Sequence, residues 1–381
     1  MQLLYSFAAL PYTAGRNTNM ILAQAPQFNI PNSNLLPTIS NNIEAGFDLK
    51  FLEGRLGIDF TYYQQDVRNQ IIPITISPTT GFTGALINAG RITNEGVEVM
   101  VTGVPVKTPE FTWETSFNIA RNWNNVAELF PGIRNLDIGS ARVGATVLAV
   151  ERQAYGVIRG TAFLRDSSQA GFPIVYDART GLPVRDPIAK DLGNAIPDAI
   201  GGWSNTFNFF GFTLSALVDF RLGGKIYSLT NANSYITGQH KGTLQGREGA
   251  RPDSILAVGV MNVGTTAAPM YVPNTRRAYV QDFWSSYGGV TEAFMYDASF
   301  VKLREITLGY TITGDMLKNS FLSGILTGAR ISLVMRNAAI LLSNIPNVDP
   351  ESNYSNGNAQ GLEYNSLPST RSYGVNLSLK F

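Results

Sequence analysis

The residues with the most obvious chemistry lie near the carboxyl end, in DPESNYSNGN (349–358). Asp349, Glu351 and Asn353 occupy alternate positions ahead of Gly357, and oxygen ligands at such spacing could hold calcium. An EF-hand loop requires another spacing, with glycine sixth, so that motif is absent. A solvated loop is the preferred reading, with Asp349, Glu351 and Tyr354 as contacts for a ligand or a covering partner. Tyr155, Trp284, Tyr287 and Tyr364 also fall in loops. Exposed aromatic rings there could stack on sugars, although loops carry tyrosine for many reasons. Lone His240 sits in the polar stretch GQHKG, and nothing around it suggests a catalytic triad. With no cysteine, thiolate nucleophiles, disulfides and zinc–thiolate sites are excluded. Glycoside hydrolysis needs two carboxylates at a defined separation, and no spacing fixes such a pair. The chain reads as a non-enzyme that calls for no cofactor or metal.

Composition narrows the setting. Twenty-nine Lys and Arg against 28 Asp and Glu give 381 residues a net charge of +1. There is no basic footprint for nucleic acid. Charged residues are 15%, below the roughly 25% of soluble domains, and there are 37 glycines. No apolar run of about 18 residues suggests a membrane helix. The first residues, MQLLYSFAALPYTAGRN, lack the basic start of a signal peptide. An export signal is therefore expected to lie outside this chain.

The elements that must position these residues are strands. In TRSYGVNLSLKF (370–381), Tyr373, Val375, Leu377, Leu379 and Phe381 alternate with polar or small residues. Successive strand side chains point to opposite faces, so this segment has one apolar and one polar face. About ten residues, tilted, cross a hydrocarbon layer. The same alternation recurs over 43–51, 56–62, 97–101, 111–119, 203–209, 212–220, 294–311 and 329–335. This predicts about nine antiparallel strands in an all-β fold.

Their connections alternate between short and long. Short turns fall near Glu53, Val106, Gly211 and Gly314–Thr327; long loops near 65–91, 123–201, 223–293 and 341–369. A strand-like piece at Arg142–Val150 interrupts the second loop. A transmembrane barrel sorts its loops this way, with short turns on the periplasmic side. A soluble carbohydrate-binding sandwich, the main alternative, has no reason to. A barrel enzyme would need a nucleophile and base that this chain does not display. Residues 1–40, with Pro26, Pro31 and Pro37, read as irregular, the remnant of an outer loop; residues 41–381 read as part of a barrel domain. An odd strand count cannot close a bacterial barrel, so an open sheet with two unpaired edges is expected.

Two charges disturb the pattern. Lys302 and Arg304 share even numbering with Ile306, Leu308 and Tyr310. Charge facing lipid at mid-membrane costs roughly 2–4 kcal/mol. Either both lie above the lipid, which is the preferred reading, or a bulge turns them inward. Trp113, Trp123, Trp203, Tyr62 and Tyr310 fall near strand ends and read as interfacial girdles.

Several stretches, in order, resemble one family. They are NIEAGFDLKFLEGRLGIDFTYYQQDVRNQI (42–71), NAGRITNEGVEVMV (88–101), FTWETSFNIARNWNNV (111–126), LGNAIPDAIGGWSNTFNFFGFTLSALVDFRLGGKIYSLT (192–230), DASFVKLREITLGYTI (297–312) and STRSYGVNLSLKF (369–381). Together they resemble the carboxyl-terminal barrel portion of SusC/RagA-like TonB-dependent transporters of Gram-negative outer membranes. The resemblance implies a barrel of about 22 strands enclosing an amino-terminal plug. It implies TonB-energised import of glycans or peptides and a SusD-like surface lipoprotein as lid. It also implies that the last strand, through Tyr373, Leu379 and Phe381, carries the barrel-assembly signal. The plug, the TonB-contacting segment and the early strands have no counterpart in these residues.

Overall fold

The computed structural model describes residues 8–13, 19–24, 29–30, 32–75, 84–88, 90–140, 144–248, 253–265, 268–318, 325–352 and 357–381. Its frame is a nine-stranded antiparallel sheet. The strands are β1 (Ile39–Phe51), β2 (Leu56–Arg68), β3 (Arg91–Lys107), β4 (Phe111–Glu128) and β5 (Ala199–Phe209). They continue as β6 (Phe212–Leu222), β7 (Phe300–Thr313), β8 (Gly328–Ser343) and β9 (Ser372–Lys380). Each pairs with its chain neighbour, so spatial order equals chain order. Among the described residues no ladder joins β9 to β1, leaving the expected open sheet.

The register carries one apolar band across all nine strands. Phe47 faces Phe60, which faces Val99, then Ile119. Further along, Leu214 faces Leu308, then Leu333 and Val375. These rows stay at the surface: Phe47 is 49% and Val375 67% accessible, while Phe60, Val99 and Ile119 are half-buried. A sandwich would bury that face against a second sheet, and among the described residues no sheet covers it. Two polar atoms within the band are capped by indoles. Trp113 donates to Asn205 Oδ1 at 3.1 Å, and Trp203 to Thr115 Oγ1 at 2.9 Å. Asn205 is 9% exposed, and a buried amide without a partner would be costly.

Several boundaries differ from expectation. β3 continues through Val104–Pro105, where a bulge between Gly103 and Val106 absorbs the proline, and turns only at residues 108–110. β4 reaches Glu128, and Phe294 belongs to a 3-10 turn rather than to β7. In the region expected to be irregular, Ala8–Thr13 pairs with Asn19–Gln24. Of the piece at 142–150, Ala145–Val150 is a strand in a separate four-stranded sheet.

The hydrophobic core lies off the frame, in the long loops. Ala145, Val147, Ile158, Ala195, Phe294 and Leu362 pack together from the second, third and fourth loops. The third loop also carries two helices, α1 (Leu229–Ile236) and α2 (Val280–Gly288), where the sequence pattern marks only a long loop. Ser228 caps α1, its hydroxyl accepting from the Asn231 amide. The result is a packed head over the long-loop end of the sheet.

Candidate functional site

The site is the junction between the head and the polar face of the sheet. It begins with a bulge. Along β6 and β7, Leu217 opposes Glu305 while Val218 opposes Leu303, so Arg304 is an extra residue. Along β8, Glu305 opposes Arg336 and Leu303 opposes Ala339. The extra residue reverses the facing of everything upstream. Lys302 now opposes Asp219, in the polar row with Glu305 and Thr307. This corrects the preferred reading of Lys302 and Arg304 as charges on the apolar face above the lipid. The signal was present in FVKLREITLGY: Val301 and Leu303 are odd, whereas Ile306, Leu308 and Tyr310 are even.

The bulge brings two cations to three carboxylates. The Lys302 ammonium lies 2.5 Å from Asp349 Oδ1 and 2.6 Å from Glu351 Oε2, with its side chain 3% exposed. The Arg304 guanidinium bonds both oxygens of Glu351 and reaches Asp219 Oδ2 at 2.8 Å. Asp349 also accepts from the Ser369 amide at 3.1 Å and from the Ser369 hydroxyl. Burial would raise the Asp349 carboxyl, but Lys302, Ser369 and the Glu351 amide outweigh it and hold it at about 2. For Glu351, burial is likewise outweighed by Arg304 and Lys302, and its carboxyl is lowered. Asp349 and Glu351 are thus brought together, but around ammonium and guanidinium groups. Among the described residues no cluster of His, Cys, Asp or Glu forms a metal shell. Beside the network, Asp219 Oδ1 and Arg221 Nε are buried without a partner among the described residues. A cavity of about 440 Å³ adjoins it, lined by Lys302, Asn337, Ile345, Asp349, Ser369 and Arg371.

A second buried carboxylate ties the last loop to α1. Glu363, fully buried, accepts from Ser228 Oγ at 2.8 Å, Thr230 Oγ1 at 2.6 Å and the Thr230 amide at 3.1 Å. A negative charge at a helix N-terminus is favoured by the helix dipole. Asn231 adds a bond to Pro346 O at 3.0 Å. No local pattern in the sequence marked these ties, because Ser228 and Thr230 lie more than a hundred residues from Glu363, and Pro346 as far from Asn231.

The predicted aromatic contacts separate. Trp284 is 7% exposed and donates to Gln245 O at 3.1 Å, packed with Tyr235 and Phe283. That is the place of a core residue, with little ring face left for a ligand. Tyr287 is half-buried, 5.2 Å from the Phe163 ring and 5.6 Å from Trp284. Burial, then Tyr235 and Glu292, raises its hydroxyl pKa. Tyr155 is half-buried at the base of the second loop, and its amide donates to Asn124 Oδ1 at 2.7 Å. Tyr364 follows Glu363 and stands edge-on to Tyr227 at 6.3 Å. Tyr354 and Asn353 lie outside the described residues. Tyr373, Leu379 and Phe381 lie along the edge strand and its end, 73%, 44% and 79% exposed. His240 caps a 3-10 turn, its Nδ1 accepting from the Gly242 amide, and stacks on Tyr235.

Known proteins match this architecture. A family model described as TonB dependent receptor-like, beta-barrel, matches residues 5–238. TonB-dependent receptor P3 of Formosa agariphila is 25% identical over 377 residues, covering 92% of this chain and 35% of its own length. TonB-dependent receptor SusC of Bacteroides thetaiotaomicron is 24% identical over 372 residues, 92% of this chain and 32% of its own. The chain therefore spans about a third of the curated relatives it matches. Among solved structures, the RagAB peptide transporter superposes with a TM-score of 0.67 at 16% identity, covering 100% of this chain and 38% of that one. The RagAB peptide importer in its open-open state gives 0.68. At such identity the likeness shows the fold. Strand order, sorted loops and the family match agree: the chain belongs to the TonB-dependent receptor-like β-barrel family.

Proposed function

We propose that this chain forms part of the wall and the outer mouth of an outer-membrane importer. The carrying observation is the apolar band that runs across nine strands, with the second, third and fourth long loops gathered at one end into a packed head. On this reading the band faces lipid and the polar face lines the lumen. The wall is completed by further strands, to about 22 in all as large transporters have. The short-turn end is periplasmic and the head extracellular.

The resemblance to SusC-like proteins supports the finer reading. Import is driven by TonB through a plug that this stretch does not include. A SusD-like lipoprotein covers the head, and the cargo is an oligosaccharide or a peptide. Tyr155, Tyr287 and Tyr364 are the aromatic rings that keep partial exposure for such contacts, and Tyr354 joins them on sequence grounds. Asp349 and Glu351 serve the wall–loop junction rather than the cargo. Tyr373, Leu379 and Phe381 present the terminal strand to the assembly machinery. Fractionation of cells making the full-length protein tests the reading. Recovery in detergent-extracted outer membranes is expected, and a soluble periplasmic protein would overturn it. Deletion strains grown on single glycans or peptide mixtures would then identify the cargo class.

A further inference from the structure

Among the described residues the terminal strand β9 pairs with β8 alone, and every one of its residues is exposed. In a hairpin a tight turn would set its register. Here residues 344–371 intervene, and a loop of that length imposes no register. The side chains do not impose one either. Tyr373, Val375, Leu377 and Leu379 repeat every two residues opposite Met335, Leu333, Ile331 and Ala329. A two-residue slip would keep apolar facing apolar.

The geometry points to the Lys302–Asp349 pair as a register clamp for β9. Asp349 binds the arm that returns to β9 through both the amide and the hydroxyl of Ser369. Lys302, fixed in β7, holds Asp349 from the other side at 2.5 Å. One residue on, Asn337 of the β8 bulge donates to Thr370 O at 2.8 Å, and Arg371 donates back to Asn337 O at 3.3 Å. Asn337 has φ of 49°, a left-handed conformation that aims its side chain differently from its strand neighbours. The residues just before Ser372 are thus pinned to fixed points on the wall. At the far end Thr327 bonds only the carbonyl of Lys380, a contact that any residue would satisfy after a slip. Lys302 and Asp349 are positioning residues. Glu351 is not part of the clamp, because it bonds Lys302 and Arg304 but not the returning arm.

This chain contains no cysteine, so once any cysteine elsewhere in the full-length protein is replaced by serine, introduced pairs report register. In the full-length protein, Leu333→Cys with Val375→Cys tests the native register. Leu333→Cys with Tyr373→Cys or Leu377→Cys tests the two slips. Only the native pair should oxidise in the parent. Adding Asp349→Ala or Lys302→Met should lower the native yield at least threefold and bring up a slipped product. Adding Glu351→Gln should leave the yield within about twofold of the parent. A native yield unchanged by Asp349→Ala, with no slipped product, overturns the clamp. If Asp349→Ala blocks insertion, the oxidised Leu333→Cys/Val375→Cys pair should restore it, and equal failure with the pair present overturns the proposal. The clamp's consequence for insertion rests on the membrane reading above. Failure of that reading is distinguishable, as a parent protein found in the soluble fraction.

Discussion

The two ends of the sheet are built on different principles. At the short-turn end, Leu52 and Phe210 are exposed, and Leu317 is a buried exception among the described residues. At the long-loop end, fully buried side chains such as Phe294, Ile158, Leu362 and Glu363 come from separate loops. Between them the strands repeat only an apolar–polar alternation. The frame supplies direction and spacing, and the head supplies the side-chain packing that makes one arrangement unique. Specific function belongs at the second end, because there side chains from three long loops pack into one buried cluster.

This contrast can be broken or sharpened by substitution. Phe294→Ala, in the head core, should cost about 3–5 kcal/mol of head stability. Its measure is protease resistance of residues 130–300 against denaturant. Glu363→Ala removes the acceptor of the buried Ser228 hydroxyl and of the half-buried Thr230 amide, at about 1–3 kcal/mol for the buried group. It should release the last loop from α1, visible as faster hydrogen exchange over 225–236 while the nine-stranded ladder stays protected. Acid should act at the junction. The Asp349 carboxyl titrates at about 2 in the folded chain, below its ordinary 3.8. Its contribution is complete above the ordinary value and fades as pH falls toward 2. Cleavage within 344–371 should therefore be flat from pH 8 to 5 and rise only in strong acid; a rise between pH 7 and 5 would mean that other groups hold the loop. Trp203→Phe removes the donor to Thr115 and should cost about 1 kcal/mol, read as a lower melting temperature in detergent. Phe210→Ser, at an exposed turn, should change stability by less than about 0.5 kcal/mol. A large effect there would erase the contrast between the ends.

The frame was legible because a period of two is a local property. Val97, Val99 and Val101 declare their face without knowledge of any partner strand, and the sorted loop lengths set the direction. The head was not legible, because its contacts join residues far apart in sequence. Nothing near Glu363 announces Ser228, and nothing near Trp284 announces Gln245. The bulge at Arg304 stood between these cases. The change of parity from Leu303 to Ile306 is local and could have been read. What it accomplishes depends on Asp349 and Glu351, which local pattern cannot join to it. Asp349 and Glu351 stand out as carboxylates in an otherwise uncharged stretch, but their partners proved to be side chains of the wall.

The parallel pairing of Leu362–Glu363 with Tyr227–Ser228 has a kinetic consequence. Its two segments lie 135 residues apart. Closing so long a span before neighbouring strands have met costs chain entropy that a two-residue pairing cannot offset. The ladder, whose strands are chain neighbours, can assemble sequentially, whereas the head must await nearly all of it. The head should therefore be the last region to mature during biogenesis. Pulse-labelled hydrogen exchange would show protection at β3 and β4 before α1, and the reverse order would refute it.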